Sequence, residues 1–267
     1  MSHPQIITLI TDFGLADGYV GALKGVILRI NPKVRIIDIT HEIEAHNVFE
    51  AAFVLAAACR FFPRGSVHLV IVDPGVGSKR KPILMETEDY YFVGPDNGSF
   101  SLIPEFSVIK RVTEISEPKY LLPRISDTFH GRDIFAPVAA YLTRGVDPRE
   151  FGSPIKKYRR LRIPRPRKKG REIKGEIIHI DRFGNLISNI TEEGTRDLFG
   201  GKGCQITIGG RRLSRISRYY SEVKKGGVLA IFGSSGFLEI SVNQGNASQA
   251  LSLGKGDPIK LYYGMET

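Results

Sequence analysis

Ile6-Ile7-Thr8-Leu9-Ile10-Thr11-Asp12-Phe13-Gly14 is the stretch that decides how the chain is read. Ile6 to Ile10 is a short apolar run of strand length, and it stops in two polar residues and a glycine. Outward from it, Tyr19 to Ile30 carries Val20, Leu23, Val26, Ile27 and Ile30 at helical spacing and ends at Asn31-Pro32. Val34 to Ile39 reads as a second strand. Asn47 and Glu50 form the cap and capping box of a helix with Val48, Ala51, Leu55, Ala58 and Phe62 on one side. Val67 to Val72 is a third strand, closed again by an acid, Asp73. Strands alternating with helices of this length predict an α/β domain around a central, mostly parallel sheet with helices on both faces. Such sheets bind ligands beyond the carboxyl ends of their strands, and both Asp12 and Asp73 fall there.

After Tyr141 the pattern changes. Residues 1–155 are assigned to the α/β domain, 156–172 to a basic, Pro-containing connector and 173–267 to a smaller domain. That last part shows short β-like runs punctuated by glycines: Glu176–Ile180, Gln205–Ile208, Val228–Phe232, Leu238–Val242 and Ile259–Tyr263. They predict an all-β fold.

The net charge of +10 raises the question of nucleic acid. Ten Lys or Arg and no acid lie between Lys156 and Arg171, so the connector holds the whole excess. It contains Pro164 and Pro166, and Tyr158 is its one aromatic residue, so it lacks a stacking surface. A solvated connector is the reading, and nucleic acid is not an expected partner. No apolar run approaches the roughly 20 residues of a membrane span. The N-terminus lacks a signal-peptide layout, and Cys59 and Cys204 are far apart, without metal-ligand spacing. A cytoplasmic protein without a resident metal or cofactor is expected.

Four clusters mix Gly with Asp, His, Asn or Ser beside strand ends: Thr11–Tyr19, Val72–Arg80, Thr128–Asp133 and Asp181–Asn185, with Gly233-Ser234-Ser235-Gly236 further on. Asp12-Phe13-Gly14 is not the kinase magnesium motif, since no catalytic-loop His-Arg-Asp precedes it. Gly75-Val76-Gly77-Ser78 lacks the Gly-Lys-Ser/Thr ending of a phosphate loop. Taken singly, each cluster reads as a turn. Asp12 or Asp181 then caps the next element, and Asp96-Asn97-Gly98 is a turn. Together they supply carboxylates for a ribose diol and an ammonium, an amide for a base edge, and an Asp/His/Arg set, which is what chemistry on a cationic nucleoside needs.

Six segments appear in one order: TDFG-x-x-D-x-Y-V-G-x-x-K-G from Thr11, VDPGVGS-x-R from Val72, YFVGPDNGS from Tyr91, FHGRD-I-F-AP from Phe129, D-x-FGN-L from Asp181 and GSSG-F-LEI from Gly233. In them the chain resembles the S-adenosylmethionine hydroxide adenosyltransferases, hydrolase relatives of the fluorinase and chlorinase enzymes, from Ile7 to about Tyr262. The resemblance implies an α/β N-terminal domain, a barrel-like C-terminal β domain and a homotrimer with sites between subunits. It implies hydrolysis of S-adenosylmethionine at C5′ to adenosine and methionine.

By the same resemblance Asp73, Arg80 and His130 are the catalytic set that holds and deprotonates water, with Arg80 fixing the carboxylate in its ionised form. Asp12 takes both ribose hydroxyls. Asp17 and Asp181 surround the methionine ammonium, and Asn185 reads the adenine edge. Phe183 and Tyr220 pack on the base, with a core position the competing reading of each. Phe129 lines the ribose pocket on the same terms, beside Gly131. Ser234 binds the methionine carboxylate, although Ser235 replaces an Arg of the halogenating enzymes. Those enzymes carry a tyrosine at the position of Asp73 and a halide-contacting serine at that of Gly131. A carboxylate there repels halide and suits water, so hydrolysis is favoured over halogenation. A methyltransferase would transfer methyl to an acceptor, and its products would differ.

Overall fold

The structure is a computed structural model that describes residues 5–198 and 203–265. The chain divides into two units, residues 1–161 and 162–267. In the first unit the opening stretch forms β1 (Ile6–Thr11), and α1 (Tyr19–Ile30) follows it. Then come β2 (Arg35–Thr40), α2 (Val48–Cys59), β3 (Val67–Ile71), β4 (Pro82–Thr87), β5 (Tyr91–Pro95), β6 (Ile109–Ile115), α3 (Ala136–Thr143) and β7 (Gly152–Pro154). The strand order is β2-β1-β3-β5-β4-β6-β7. β1 pairs in parallel with β2 and β3, and β3 with β5; the pairings from β5 to β7 are antiparallel. Five of the seven strands therefore point the same way.

Alternation along the strands separates two cores. Ile7, Leu9, Val67, Leu69 and Ile71 face α1 and α3, meeting Leu23, Ile27, Val138 and Leu142. Ile10, Val70 and Phe92 face the other way, toward Ala51, Leu55 and Cys59 of α2. Each such side chain contributes roughly 1.5–3 kcal/mol on burial. The Asn47 cap forms as expected: its Oδ1 accepts from the Glu50 amide at 3.0 Å, and its Nδ2 donates to the Glu50 carboxylate at 3.1 Å. The helix ends at Cys59, however, so Phe62 lies beyond it rather than on its apolar face.

Two of the buried polar residues of this sheet meet each other. Thr8 and His68 are fully buried, with Thr8 Oγ1 2.7 Å from His68 Nδ1. The imidazole stacks on Phe92 at 5.2 Å, and burial pushes its pKa down to about 3, so it is neutral in the fold.

The second unit is a nearly closed, barrel-like sheet. Its strands are β8 (Arg167–Lys169), β9 (Glu172–Ile180), β10 (Leu186–Thr191), β11 (Gly203–Ile208), β12 (Arg211–Leu213), β13 (Ile216–Ser217), β14 (Val228–Phe232), β15 (Phe237–Val242) and β16 (Pro258–Met265). The order is β12-β11-β16-β9-β10-β15-β14-β13. The long β9 joins the two halves: its first residues pair with β16 and its last with β10. Its core includes Ile177, Leu186, Ile206, Ala230, Leu238 and Ile240. Two local features add detail. Within the connector, Arg167–Lys169 turns through Gly170 and pairs with β9. Beside the sheet, the short α4 (Ala247–Leu251) forms behind an Asn246 cap that accepts from the Gln249 amide. Among the described residues no helix is long and apolar enough to cross a membrane.

Candidate active site

The first unit assembles a hydrogen-bonded set at the carboxyl end of its parallel strands. Asp73 lies just past β3, and Arg80 lies seven residues on, in the loop before β4. The Arg80 guanidinium grips the carboxylate with two bonds, Nε to Oδ1 at 3.0 Å and Nη2 to Oδ2 at 2.5 Å. Both side chains are only 6% exposed, so this is a buried ion pair. Nη2 also donates to His130 Nδ1 at 2.7 Å. A guanidinium has no acceptor, so Nδ1 must accept. The neutral ring then carries its proton on Nε2. Burial, and next the Arg80 charge, hold the His130 pKa below the usual histidine value, which keeps the ring neutral.

Backbone geometry sets the loops that carry these residues. Gly77 has φ +74°, and a Cβ there would lie 2.4 Å from the Asp127 carbonyl oxygen, so the Asp73–Arg80 loop rests directly on the loop before His130. Asn97 secures the strand end: its Nδ2 donates to the Val72 carbonyl at 2.7 Å, and its Oδ1 accepts from Ser99. The Asp96–Gly98 turn is therefore a brace for Asp73. His130 precedes a π-helical turn (Gly131–Phe135) that leads into α3. Asp133, 1% exposed, is held by Arg132 and accepts from the Ser126 amide at 2.8 Å, which closes the His130 loop. A Cβ on Gly131 would stand 3.1–3.2 Å from Ile71 side-chain carbons, so the position is filled from behind.

Asp12 follows β1 at the same end of the sheet. Its Oδ2 accepts from the His46 amide at 2.9 Å, while Oδ1 makes no hydrogen bond among the described residues. The His46 ring nitrogen is 3.9 Å from the carboxylate, and His46 itself holds φ +68°, a strained conformation for a histidine. His46 escaped the sequence reading because an exposed histidine in a loop carries no pattern. Phe129 packs edge-on to Phe13 and Tyr19 at 5.8 and 5.3 Å, making an aromatic wall. Asp17 is exposed on the loop into α1, apart from these contacts.

The remaining candidates form a second cluster, within the second unit. Asp181 opens the tight β9–β10 turn. Its Oδ1 accepts from the amides of Phe183 and Asn185, both at 2.9 Å, and its Oδ2 from Asn185 Nδ2 at 2.8 Å. The capping role weighed for Asp181 is thus present, and it occupies Asn185 Nδ2. Gly184 has φ +83°, with a Cβ blocked by Asn246 at 2.1 Å. Phe183 is 76% exposed, so it is no core aromatic. Tyr220, half-exposed, donates from its hydroxyl to Glu239 Oε2 at 3.4 Å. Ser234 is exposed in the turn after β14, and beside it Ser235 Oγ is buried without a partner among the described residues. Glu239, 5% exposed in β15, was missed. Its one signal was a charged residue inside the apolar run Phe237-Leu238-Glu239-Ile240.

No group of three or more His, Cys, Asp or Glu among the described residues is arranged to hold a metal ion. Comparison with known proteins bears on the whole chain. Residues 7–152 match the model of the SAM hydroxide adenosyltransferase N-terminal domain, and residues 175–260 that of the C-terminal domain. A protein named (R)-S-adenosyl-L-methionine hydrolase from Methanocaldococcus jannaschii is 40% identical over 97% of this chain and 96% of its own. One of the same name from Thermus thermophilus is 36% identical over 96% and 98%. The crystal structure of an uncharacterized conserved protein from Thermotoga maritima superposes with a TM-score of 0.89 at 40% identity, covering 96% of this chain and 99% of its own. With both domain models matched in order over most of its length, the chain belongs to the SAM hydroxide adenosyltransferase family.

Proposed function

We propose that this protein hydrolyses S-adenosylmethionine at C5′, giving adenosine and methionine. The observation that carries the reading is the buried Asp73–Arg80–His130 set at the carboxyl end of the parallel strands. Family membership and the name of its relatives support it. The sulfonium sulfur is a good leaving group without protonation. The chemical problem is therefore to align a weak nucleophile, water, behind C5′.

The hydrogen-bond pattern divides the labour. Arg80 occupies His130 Nδ1, so the free Nε2–H is a donor and cannot take the proton of water. Asp73 is the acceptor that remains: each carboxylate oxygen gives one lone pair to Arg80 and keeps another. Asp73 takes the proton, and His130 fixes the position of the water or a ribose oxygen by donating from Nε2. A positioned base of this kind is worth about 10²–10⁴-fold in rate, and fixed geometry adds to it. Asp12 offers its free Oδ1 to the ribose diol. Phe129 and Gly131 line the ribose, Asn185, Phe183 and Tyr220 the base, and Asp17, Asp181 and Ser234 the methionine end. Chloride does not replace water, because a fixed carboxylate at the attack position repels an anion.

The reading extends to a metal-independent homotrimer, with no resident cofactor, acting in the cytoplasm, where the free thiols of Cys59 and Cys204 suit a reducing setting. The relatives' name further supports a preference for the R sulfonium epimer. Chromatography of reaction mixtures with each epimer, with and without excess chloride or a chelator, tests the reaction, the epimer preference and the independence of metal. Adenosine plus methionine, unaffected by either addition, formed faster from the R epimer and lost in Asp73→Ala, is expected. A 5′-chloro nucleoside would move the protein to the halogenating branch. Light scattering giving a mass other than three chains would remove the trimer.

A further inference from the structure

Four side chains line up behind the Asp12 turn, and the reaction proposed above leaves them unused. Thr11, the last residue of β1, is fully buried, and its Oγ1 lies 2.9 Å from Nδ1 of His41. His41 follows β2 and is 4% exposed. Its Nε2 is 3.1 Å from Oδ1 of Asp38, off the line of an ideal hydrogen bond. Asp38 Oδ2 in turn accepts from Lys24 Nζ of α1 at 2.6 Å. An irregular register brings the set together: Leu9 of β1 pairs with Asp38 but Ile10 with Thr40, so β2 carries one extra residue between them. Such an insertion re-aims the side chains beyond it, here toward the end of β1.

The direction of each bond follows from its partners. Burial opposes the Asp38 charge, but the bonds from Lys24 and His41, with their charges, outweigh it and hold the pKa below the usual carboxylate value. A carboxylate only accepts, so His41 Nε2 carries a proton. A second ring proton would make Nδ1 a donor as well and leave the buried Thr11 hydroxyl proton without an acceptor among the described residues. Nδ1 is therefore bare and accepts from Thr11. The Thr11 oxygen accepts from the Phe13 amide at 3.3 Å. The bonds thus run one way, from Phe13 through Thr11 and His41 to Asp38.

Asp12 lies between Thr11 and Phe13, so both of its neighbours are tied to one hydroxyl. The backbone tightens the clamp: the Gly14 amide donates to the His41 carbonyl at 2.8 Å, and the Ile43 amide to the Thr11 carbonyl at 3.4 Å. The Asp12 carboxylate itself accepts one hydrogen bond among the described residues, from the His46 amide. Its aim therefore depends on the backbone beneath it. We propose that the Lys24–Asp38–His41–Thr11 chain is a positioning device, which fixes Asp12 for the ribose diol and so sets the preference for a ribose over a deoxyribose substrate. The four residues act through Asp12, not on the reacting atoms. The assignment rests on the S-adenosylmethionine reading above and deepens it.

The test compares kcat and KM for S-adenosylmethionine and for its 2′-deoxy analogue in wild type, Asp12→Ala, Thr11→Val and Thr11→Ser. Wild type should favour the ribose substrate, and Asp12→Ala should remove most of that preference. Thr11→Val keeps the volume and loses the hydroxyl. It should lower kcat/KM for S-adenosylmethionine about 10- to 100-fold, mainly through KM, because the diol is held alike before and during attack. The deoxy analogue makes one bond to Asp12 where the ribose makes two, so its loss should be smaller and the preference should narrow. Thr11→Ser should restore both rate and preference.

Equal losses for the two substrates in Thr11→Val would mean a merely structural role and overturn the assignment. So would wild-type behaviour of that variant, or a Thr11→Ser as impaired as Thr11→Val. A second measurement needs no folded Thr11→Val: ¹⁵N NMR of the wild-type histidine rings at about pH 8, where an ordinary histidine is neutral. The His41 signal, identified by its loss in His41→Gln, should show the proton on Nε2, and a proton on Nδ1 instead overturns the assignment. A wild type that cleaves both substrates equally well removes the diol role of Asp12 and this assignment, and leaves hydrolysis standing. Absence of any cleavage by wild type overturns the proposed function, and this assignment with it.

Discussion

Replacing Asp73 by Asn keeps the shape of the side chain and removes its charge. One amide NH₂ then faces an Arg80 N–H that formerly donated to oxygen at 3.0 or 2.5 Å. The guanidinium, 6% exposed, is left without its counter-ion. At an effective dielectric constant of about 20, opposite charges about 4 Å apart attract by about 4 kcal/mol. That agrees with the roughly 3–5 kcal/mol lost when one member of a buried pair is removed. Asp73→Asn should therefore destabilise the protein by about 3–5 kcal/mol and slow hydrolysis by about 10²–10⁴-fold. Arg80→Met should cost a similar amount of stability, because it strands the carboxylate and the His130 acceptor. The double variant should recover about 2 kcal/mol or more over the sum of the singles, since removing both charges is far less costly than removing one. It should recover no activity. Urea unfolding followed by circular dichroism gives the stabilities, and chromatographic detection of adenosine gives the rates. Singles that each lie within about 1 kcal/mol of wild type and add in the double would refute the picture of a buried, coupled pair. An Asp73→Asn enzyme with wild-type turnover would refute the role of the carboxylate as base.

Three further outcomes are expected. Gly131→Ser places its Cβ against Ile71 at 3.1–3.2 Å; it should lower stability by about 1–3 kcal/mol and yield no 5′-chloro nucleoside while Asp73 remains, and chloride incorporation by this variant would contradict the charge argument. Gly233→Ala would set its Cβ on the Glu239 carboxylate and push it aside; differential scanning fluorimetry should show a lower melting temperature, restored when Glu239 is shortened to Ser in the same chain, and no rescue would mean the clash lies elsewhere. His68, neutral in the fold with a pKa of about 3, binds fewer protons folded than unfolded between that value and the ordinary 6.5. Its contribution to stability is complete above about pH 6.5 and drains away as pH falls toward 3, so urea midpoints should drop over that window and drop less in His68→Gln.

The half of the fold that sequence discloses is the half with clean periodicity. β1 and β3 announce themselves through apolar runs, β2 through a run broken only at Arg35 and Asp38, and α1 and α2 through apolar residues at helical spacing. α3 does not, because Ala136–Thr143 is buried nearly all round and shows no stripe. β4 to β6 are likewise obscured: they pair antiparallel among themselves, and no crossover helix of the α/β pattern marks them. At the site, the clusters that hold Asp73, Arg80 and His130 are visible in the sequence, and the family resemblance picks those three out of them. That Arg80 bonds both its partners, and so settles the His130 tautomer, depends on a contact between positions fifty residues apart. Glu239 hides in the chain for the reason that gives it interest: a charged residue in a buried strand looks like an interruption until its surroundings are known.

The bare backbone contact of Gly77 with the Asp127 carbonyl also has a kinetic side. Both strand ends can be in place while the two loops are still apart, and closing the chain between them costs entropy that no local contact repays in advance. Their docking is thus a closure step separate from strand pairing, with an entropic cost of its own. In refolding, ellipticity should return before catalytic competence, and any side chain at position 77 should widen that lag.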